Sequence, residues 1–235
     1  MELENYRLPL MDTAKQLFAV DSPSGFTHDV IMLAKELAEA QGYTAECINK
    51  GNLLVRIPGR DHTKTIGVCS HVDTLGLMCR AITESGGLLF TRIGGPLLNT
   101  LDGEYCRIHT RGGKIYTGTI LSLSPSIHVF DDAATRPRDE QNMYVRIDEP
   151  VSSRDDVLAL GIEVGDYICI DPKTTVTENG FLKSRFIDDN AGERLHAPLR
   201  HRVLLHRLRG GRPRRLRHPH HTERAAGGGH GLHRR

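Results

Sequence analysis

No apolar run in this chain approaches the roughly 20 residues that a helix needs to cross a bilayer, which excludes a helical membrane span. Cysteine is sparse. Cys47, Cys69, Cys79, Cys106 and Cys169 are scattered, odd in number and never closely spaced. That pattern excludes a disulfide framework, and their positions inside apolar, strand-like runs read as buried thiols in a reducing compartment. Met1-Glu2-Leu3-Glu4-Asn5 lacks the basic start and apolar stretch of a secretory signal. The expected location is therefore cytoplasmic. Aromatic residues make up only 5% of the chain and none lies beyond Phe186. The basic C-terminal stretch thus has no stacking platform for nucleic-acid bases.

The 235 residues suffice for one large or two modest domains with a true core. A net charge of +2 hides an uneven distribution. Residues 193–235 carry twelve Arg against two Glu, a net of +10, which leaves −8 on the preceding 192 residues. The tail uses only nine residue types and contains no Lys, Asp, Ile, Phe, Tyr, Ser, Asn or Gln. Such a composition predicts a stretch without packed structure. It reads as translation of a GC-rich gene in the wrong frame, with a natural basic extension as the alternative.

Ahead of the tail the pattern is regular. Leu10, Met11, Ala14, Leu17 and Phe18 predict a helix over 9–20. Ser22-Pro23-Ser24-Gly25 breaks it, and a second helix is expected from an N-cap at Thr27 to Gln41, stopped by Gly42. Segments 45–49 and 53–57 flank Gly51-Asn52 and predict a hairpin. Residues 65–70 form a short apolar strand of the kind covered on both faces. From about Leu77 the rhythm becomes β, with strands expected at 77–82, 88–93, 105–110, 115–122, 143–147 and 167–170 and one helix at 153–160. Short strands separated by Gly-rich turns indicate a barrel or sandwich.

Two short motifs carry the chemistry. Ser70-His71-Val72-Asp73-Thr74 follows the strand at 65–70, and Phe186-Ile187-Asp188-Asp189-Asn190 follows another apolar run. Strand ends are where an α/β sheet presents functional groups. Imidazole and carboxylate are zinc-type ligands, and a ligating His needs a partner that fixes its tautomer. Residues two apart in an extended segment point the same way, so Asp73 is placed to support the His71 ring. The bland alternatives are a hydrogen-bonded His-X-Asp pair, and two acidic residues capping a helix that starts near Asp188.

These residues resemble the dinuclear zinc aminopeptidases called glutamyl or deblocking aminopeptidases, family forty-two of the metallopeptidases. The resemblance covers about residues 7–190. It rests on Pro23-Ser24-Gly25, the run Ile66–Met78, Gly94-Gly95, Arg138-Asp139 and the stretch from Gly180 to Asp189. It implies an α/β, phosphorylase/hydrolase-like metallopeptidase domain, truncated, with an inserted small β-barrel domain. The expected boundaries are 1–75 for the first part of the catalytic domain, 76–178 for the insert, 179–192 for the return and 193–235 for the tail. The resemblance further implies two divalent ions, Zn2+ or Co2+, with His71 binding one, Asp188 bridging both and Asp73 orienting His71. Hydrolysis would remove N-terminal residues from a peptide substrate. Family members assemble into homo-oligomers, here expected through the β domain.

The sequence departs from that pattern after Asp188. The family's Glu-Glu pair, general base and ligand, has no counterpart; Glu193 and Glu223 stand alone. The general base is therefore absent from this chain, and inactivity is expected. The competing readings are a noncatalytic remnant acting through oligomerisation and a basic-tailed nucleic-acid-binding protein. No membrane partner and no specific nucleic-acid partner is expected. The cluster His218-Pro219-His220-His221 reads as adventitious chelation.

Overall fold

Helix α1 (Glu4–Ala19) and helix α2 (His28–Glu39) form where apolar residues recur at three- and four-residue spacing. The structure, a computed structural model, describes residues 4–59, 63, 65–190 and 202–205, with backbone alone for 4–8, 190 and 202–205. Helix α1 begins at Glu4 rather than residue 9 and contains Pro9. Its apolar stripe starts at Leu10, so the preceding turn gives no periodic signal. Helix α2 buries Val30, Ile31 and Ala34. Thr27 occupies the N-cap position but makes no side-chain capping bond. Gly42, at φ +80°, closes the helix in the left-handed conformation that glycine adopts without a Cβ penalty.

The hairpin forms as expected. Strand β1 (Thr44–Cys47) pairs antiparallel with β2 (Leu53–Arg56), Cys47 opposite Leu53. Leu53 and Val55 point inward onto Leu17, Val30 and Val72, giving a core between helices and sheet. Strand β3 (Gly67–Ser70) completes the sheet. Its expected burial on both faces is not observed. Gly67 and Cys69 are exposed and Ile66 is 52% exposed, because helices α1 and α2 pack on the β1–β2 side and no described element covers β3.

Six further strands close a barrel: β4 (Gly76–Ile82), β5 (Leu88–Ile93), β6 (Tyr105–His109), β7 (Ile115–Ser122), β8 (Met143–Ile147) and β9 (Tyr167–Ile170). The order around it is β4-β5-β8-β7-β6-β9, every pairing antiparallel. Closure leaves no open edge among the six strands. Alternate residues face inward, so Leu77, Phe90, Ile108, Ile120, Val145 and Ile168 are wholly buried. Gly118 is needed where β7 meets β8, since a Cβ would lie 2.7 Å from the Arg146 carbonyl oxygen. Helix α3 (Arg154–Ala159) starts on a capping box between Ser153 and Asp156, and its Val157 joins the barrel core.

Beyond the barrel, β10 (Thr175–Val176) and β11 (Leu182–Lys183) form a small hairpin leading to Asp188. Within the tail expected to lack structure, Arg202–Leu205 forms strand β12, antiparallel to β2 and parallel to β3. Val203-Leu204-Leu205 is an uninterrupted apolar run, and β2 and β3 offer backbone groups on either side that the inserted strand satisfies. Glu193, Glu223 and the His218–His221 cluster lie outside the described residues. The architecture is α/β with an inserted six-stranded barrel. Among the described residues no helix is long and apolar enough to cross a membrane.

Candidate functional site

His71 follows β3 directly, at the end of the sheet strand nearest the barrel entry at β4. Its Nδ1 lies 3.2 Å from the main-chain oxygen of Asp73 and 3.2 Å from Asp73 Oδ1. A main-chain oxygen can only accept, so Nδ1 is the donor in that contact and Nε2 is the ring nitrogen left to face outward. Nε2 faces Asp188, whose Oδ1 is 4.0 Å away. The structure thus brings together the three residues singled out in the sequence. Asp73 is nearly buried, with 9% of its side chain exposed, whereas the Asp188 side chain is fully exposed. Asp73 Oδ1 has no aligned hydrogen bond among the described residues, leaving His71 as its electrostatic partner.

Local backbone aims Asp188. Phe186 adopts φ +63°, a left-handed conformation that a bulky residue takes only when its surroundings impose it. Its ring packs against the barrel core, where the β10–β11 hairpin delivers it. Arg185 fixes the same turn: its N–H donates to the Pro172 oxygen (2.8 Å), and its guanidinium donates to the Thr100 oxygen (3.1 Å) and lies 3.4 Å from Glu104. Asp188 itself is extended (φ −84°, ψ +112°), so the Ile187–Asn190 turn does not start a regular helix with acidic caps.

Behind Asp73 runs the Ser22–Gly25 loop. Pro23 bridges Thr74 in parallel fashion, the Thr74 N–H donates to the Ser22 oxygen (2.8 Å), and the Ser22 hydroxyl donates to the Val72 oxygen (2.9 Å). The Ser24 hydroxyl donates to Asp73 Oδ2. Glycines permit this closeness. A Cβ on Gly76 would sit 2.6 Å from Pro23 Cβ, and one on Gly25 (φ +98°) would sit 2.5 Å from the Tyr167 hydroxyl.

A second polar cluster joins the same loop to the barrel. Asp21 accepts from Arg107 Nη2 at 2.6 Å, from Arg107 Nε at 2.7 Å and from His109 Nε2 at 2.7 Å. Burial pushes the Asp21 carboxyl up, but the hydrogen bonds and charges of Arg107 and His109 outweigh it and hold its pKa below the ordinary value. Asp21, His109 and Cys169 present ligand-type atoms within 4.8 Å of one another. Their chemistry is that of an ion-pair clasp. Both carboxylate oxygens already face donors, and burial raises the Cys169 thiol so that it stays protonated. His109 sits within this clasp and packs against Phe26, ring centroids 4.9 Å apart and tilted by 59°.

Residues 51–203 match the M42 glutamyl aminopeptidase family. This chain belongs to it. YhfE of Bacillus subtilis (strain 168), which carries an aminopeptidase name, is 42% identical over 193 residues, covering 82% of this chain and 56% of YhfE. The aminopeptidase APDkam598 from the archaeon Desulfurococcus kamchatkensis superposes with a TM-score of 0.71 at 23% identity, over 85% of this chain and 55% of its own. A Pyrococcus horikoshii TET1 peptidase, described as able to assemble into a tetrahedron or a large octahedral shell, gives 0.67 at 20% identity, over 83% and 59%. The chain therefore spans about half the length of this relative and of these solved structures. Asp21 and Arg107 were not singled out in the sequence. Nothing in their local patterns marks a pair 86 residues apart, and only the fold joins them.

Proposed function

We infer that this chain supplies part of a dinuclear metal centre in an aminopeptidase that removes N-terminal residues from peptides, with His71 and Asp188 as ligands. One observation carries the reading: Nε2 of His71 faces Asp188 Oδ1 at 4.0 Å, while Nδ1 on the far side of the ring is turned to Asp73. Two donors bound at about 2.0–2.1 Å in a tetrahedral site lie about 3.4 Å apart, so this pair would close by about half an ångström on one zinc-type ion, a shift the fully exposed Asp188 side chain is free to make. The orphaned, nearly buried Asp73 oxygen beside Nδ1 fits the same chemistry, since it stabilises the ring as a ligand and fixes its tautomer. When bound, Zn2+ or Co2+ would polarise the peptide carbonyl and acidify a water.

The residues present divide that work. His71 offers one nitrogen, Asp188 offers two oxygens that suit a bridge, and Asp73 holds the Nδ1 proton. A general base is missing from the described residues near Asp188, and no Glu-Glu pair follows it in the sequence. We take the chain on its own to be inactive for that reason. Residues 76–178 are read as a unit inserted into the catalytic domain, and the setting as cytoplasmic. The test is direct. The full chain, loaded with Zn2+ or Co2+, is mixed with short peptides, and N-terminal residue release is followed by mass spectrometry. No turnover is expected, and release at rates that vanish in His71→Ala would overturn the inactivity while upholding the ligand.

Assembly is the second reading. Ile127 and Val129, on the loop between β7 and β8, are 72% and 73% exposed, and Phe130 lies beside them. Apolar side chains grouped on a barrel loop favour contact with a second copy. Light scattering on the full chain should give a dimer or larger species, and Ile127→Glu with Val129→Glu should return it to monomer.

A further inference from the structure

The Ser22–Gly25 loop is held more tightly than a connection between two helices requires. On one side it is stitched to Val72 and Thr74, residues flanking Asp73. On the other, Asp21 is clasped by Arg107 and His109, and Phe26 packs between the His109 and Tyr167 rings at 4.9 and 5.0 Å. The barrel thereby fixes a loop whose one side chain aimed at the candidate site is Ser24. Its hydroxyl donates to Asp73 Oδ2, while Asp73 Oδ1 faces His71 Nδ1 at 3.2 Å. Among the described residues Asp73 Oδ2 has no other side-chain donor. A carboxylate with one oxygen tied by a charge-assisted hydrogen bond cannot rotate without breaking it.

We propose that Ser24 is a positioning residue for His71: it locks the Asp73 carboxylate in the rotamer that faces the His71 Nδ1–H. The barrel contributes by fixing the loop that carries Ser24. This rests on the reading of His71 as a metal ligand, and it adds a third layer behind that ligand, contributed by a segment 49 residues earlier than Asp73. Without the hydroxyl, the Asp73 carboxyl group stays in place but loses the donor that orients it. The main-chain oxygen of Asp73 would still hold the Nδ1 proton, so the tautomer survives while the carboxylate contact is lost.

The experiment uses the full chain, labelled with 15N, as wild type, Ser24→Ala and Ser24→Cys. The cysteine variant keeps the volume with a much weaker donor, so it reads the hydrogen bond even where the alanine variant fails to fold. Two signals are followed: the His71 Nδ1–H proton resonance without metal, and the Zn2+ concentration at which the His71 Nε2 resonance is half shifted. Reading the His71 ring itself keeps zinc taken up by tail histidines out of the measurement. Both variants should keep an Nδ1–H signal, held by the Asp73 main-chain oxygen, but show it moved upfield from its wild-type position, and should need about tenfold more Zn2+. Wild-type values of both signals in a folded variant overturn the proposal. If Zn2+ leaves the wild-type His71 ring unmoved, the ligand reading fails, and the Nδ1–H signal alone then decides whether Ser24 orients Asp73.

Discussion

Arg107 donates to both carboxylate oxygens of Asp21, from Nη2 at 2.6 Å and from Nε at 2.7 Å, tying barrel strand β6 to the segment that follows helix α1. The pair lies close behind the loop that backs Asp73, so it links the stability of the inserted barrel to the geometry of the candidate site.

Removing that clasp should therefore loosen the chain. Asp21→Ala leaves a partly buried guanidinium unpaired, and breaking a pair of this kind costs on the order of 3 kcal/mol. Urea unfolding should show the midpoint falling without a change in slope. An unchanged midpoint would mean that Asp21 is held for another reason.

Acid should act through the same carboxylate. The Asp21 pKa is depressed in the folded chain, so its contribution is fully present above the unfolded value near 3.8 and is lost as pH falls through the lower folded value. Thermal unfolding between pH 5 and 2 should show a steeper loss for wild type than for Asp21→Asn. Parallel curves would remove Asp21 from the acid response.

Close backbone approach predicts a sharp glycine requirement. Gly76→Ala places a Cβ 2.6 Å from Pro23 Cβ, where both groups belong to backbone-anchored atoms that cannot swing aside. Overpacking of this kind costs about 1–3 kcal/mol. Gly103→Ala serves as a contrast for the space argument, since nothing lies within 4 Å there and only its φ of +84° opposes a side chain. The Gly76 variant should also widen the Pro23–Thr74 contact, visible as faster amide exchange at Thr74.

Thiol chemistry should divide the five cysteines. Cys47 and Cys69 are exposed, while Cys79, Cys106 and Cys169 are buried. Burial, with the Asp166 charge, pushes Cys79 up to about 11, and burial with Asp148 pushes Cys106 up to about 12. A thiol reagent at pH 8 should titrate two groups in the folded chain and five in denaturant. Five fast groups under native conditions would contradict the packing of the barrel wall.

Much of this architecture is written in local pattern. The strands at 88–93, 115–122, 143–147 and 167–170 occur with the bounds their alternation and glycine turns predict, because a closed barrel alternates inward and outward residues along every strand. His71 and Asp73 stood out because a strand end and a two-residue spacing are short-range signals. Strand β12 did not, since its pairing depends on two distant partners and its composition argues for disorder. The clasp of Asp21, the hydroxyl of Ser24 and the turn at Phe186 were hidden for the same reason: each depends on where the barrel sits against the loop. Arg138 is a further case. Nothing local marks its partners, yet it ties the loop before β8 down through Asp102 at 3.0 Å and the Ala133 and Arg136 oxygens.

The convergence of His71 and Asp188 on one ion is tested most directly by following the His71 ring nitrogens during a Zn2+ titration of the full chain. The account predicts that Nε2 moves into the range of a metal-bound nitrogen while Nδ1 stays protonated, and that Asp188→Ala weakens the response at least about tenfold. Zinc uptake that leaves the His71 ring untouched, or a response indifferent to Asp188→Ala, would contradict it.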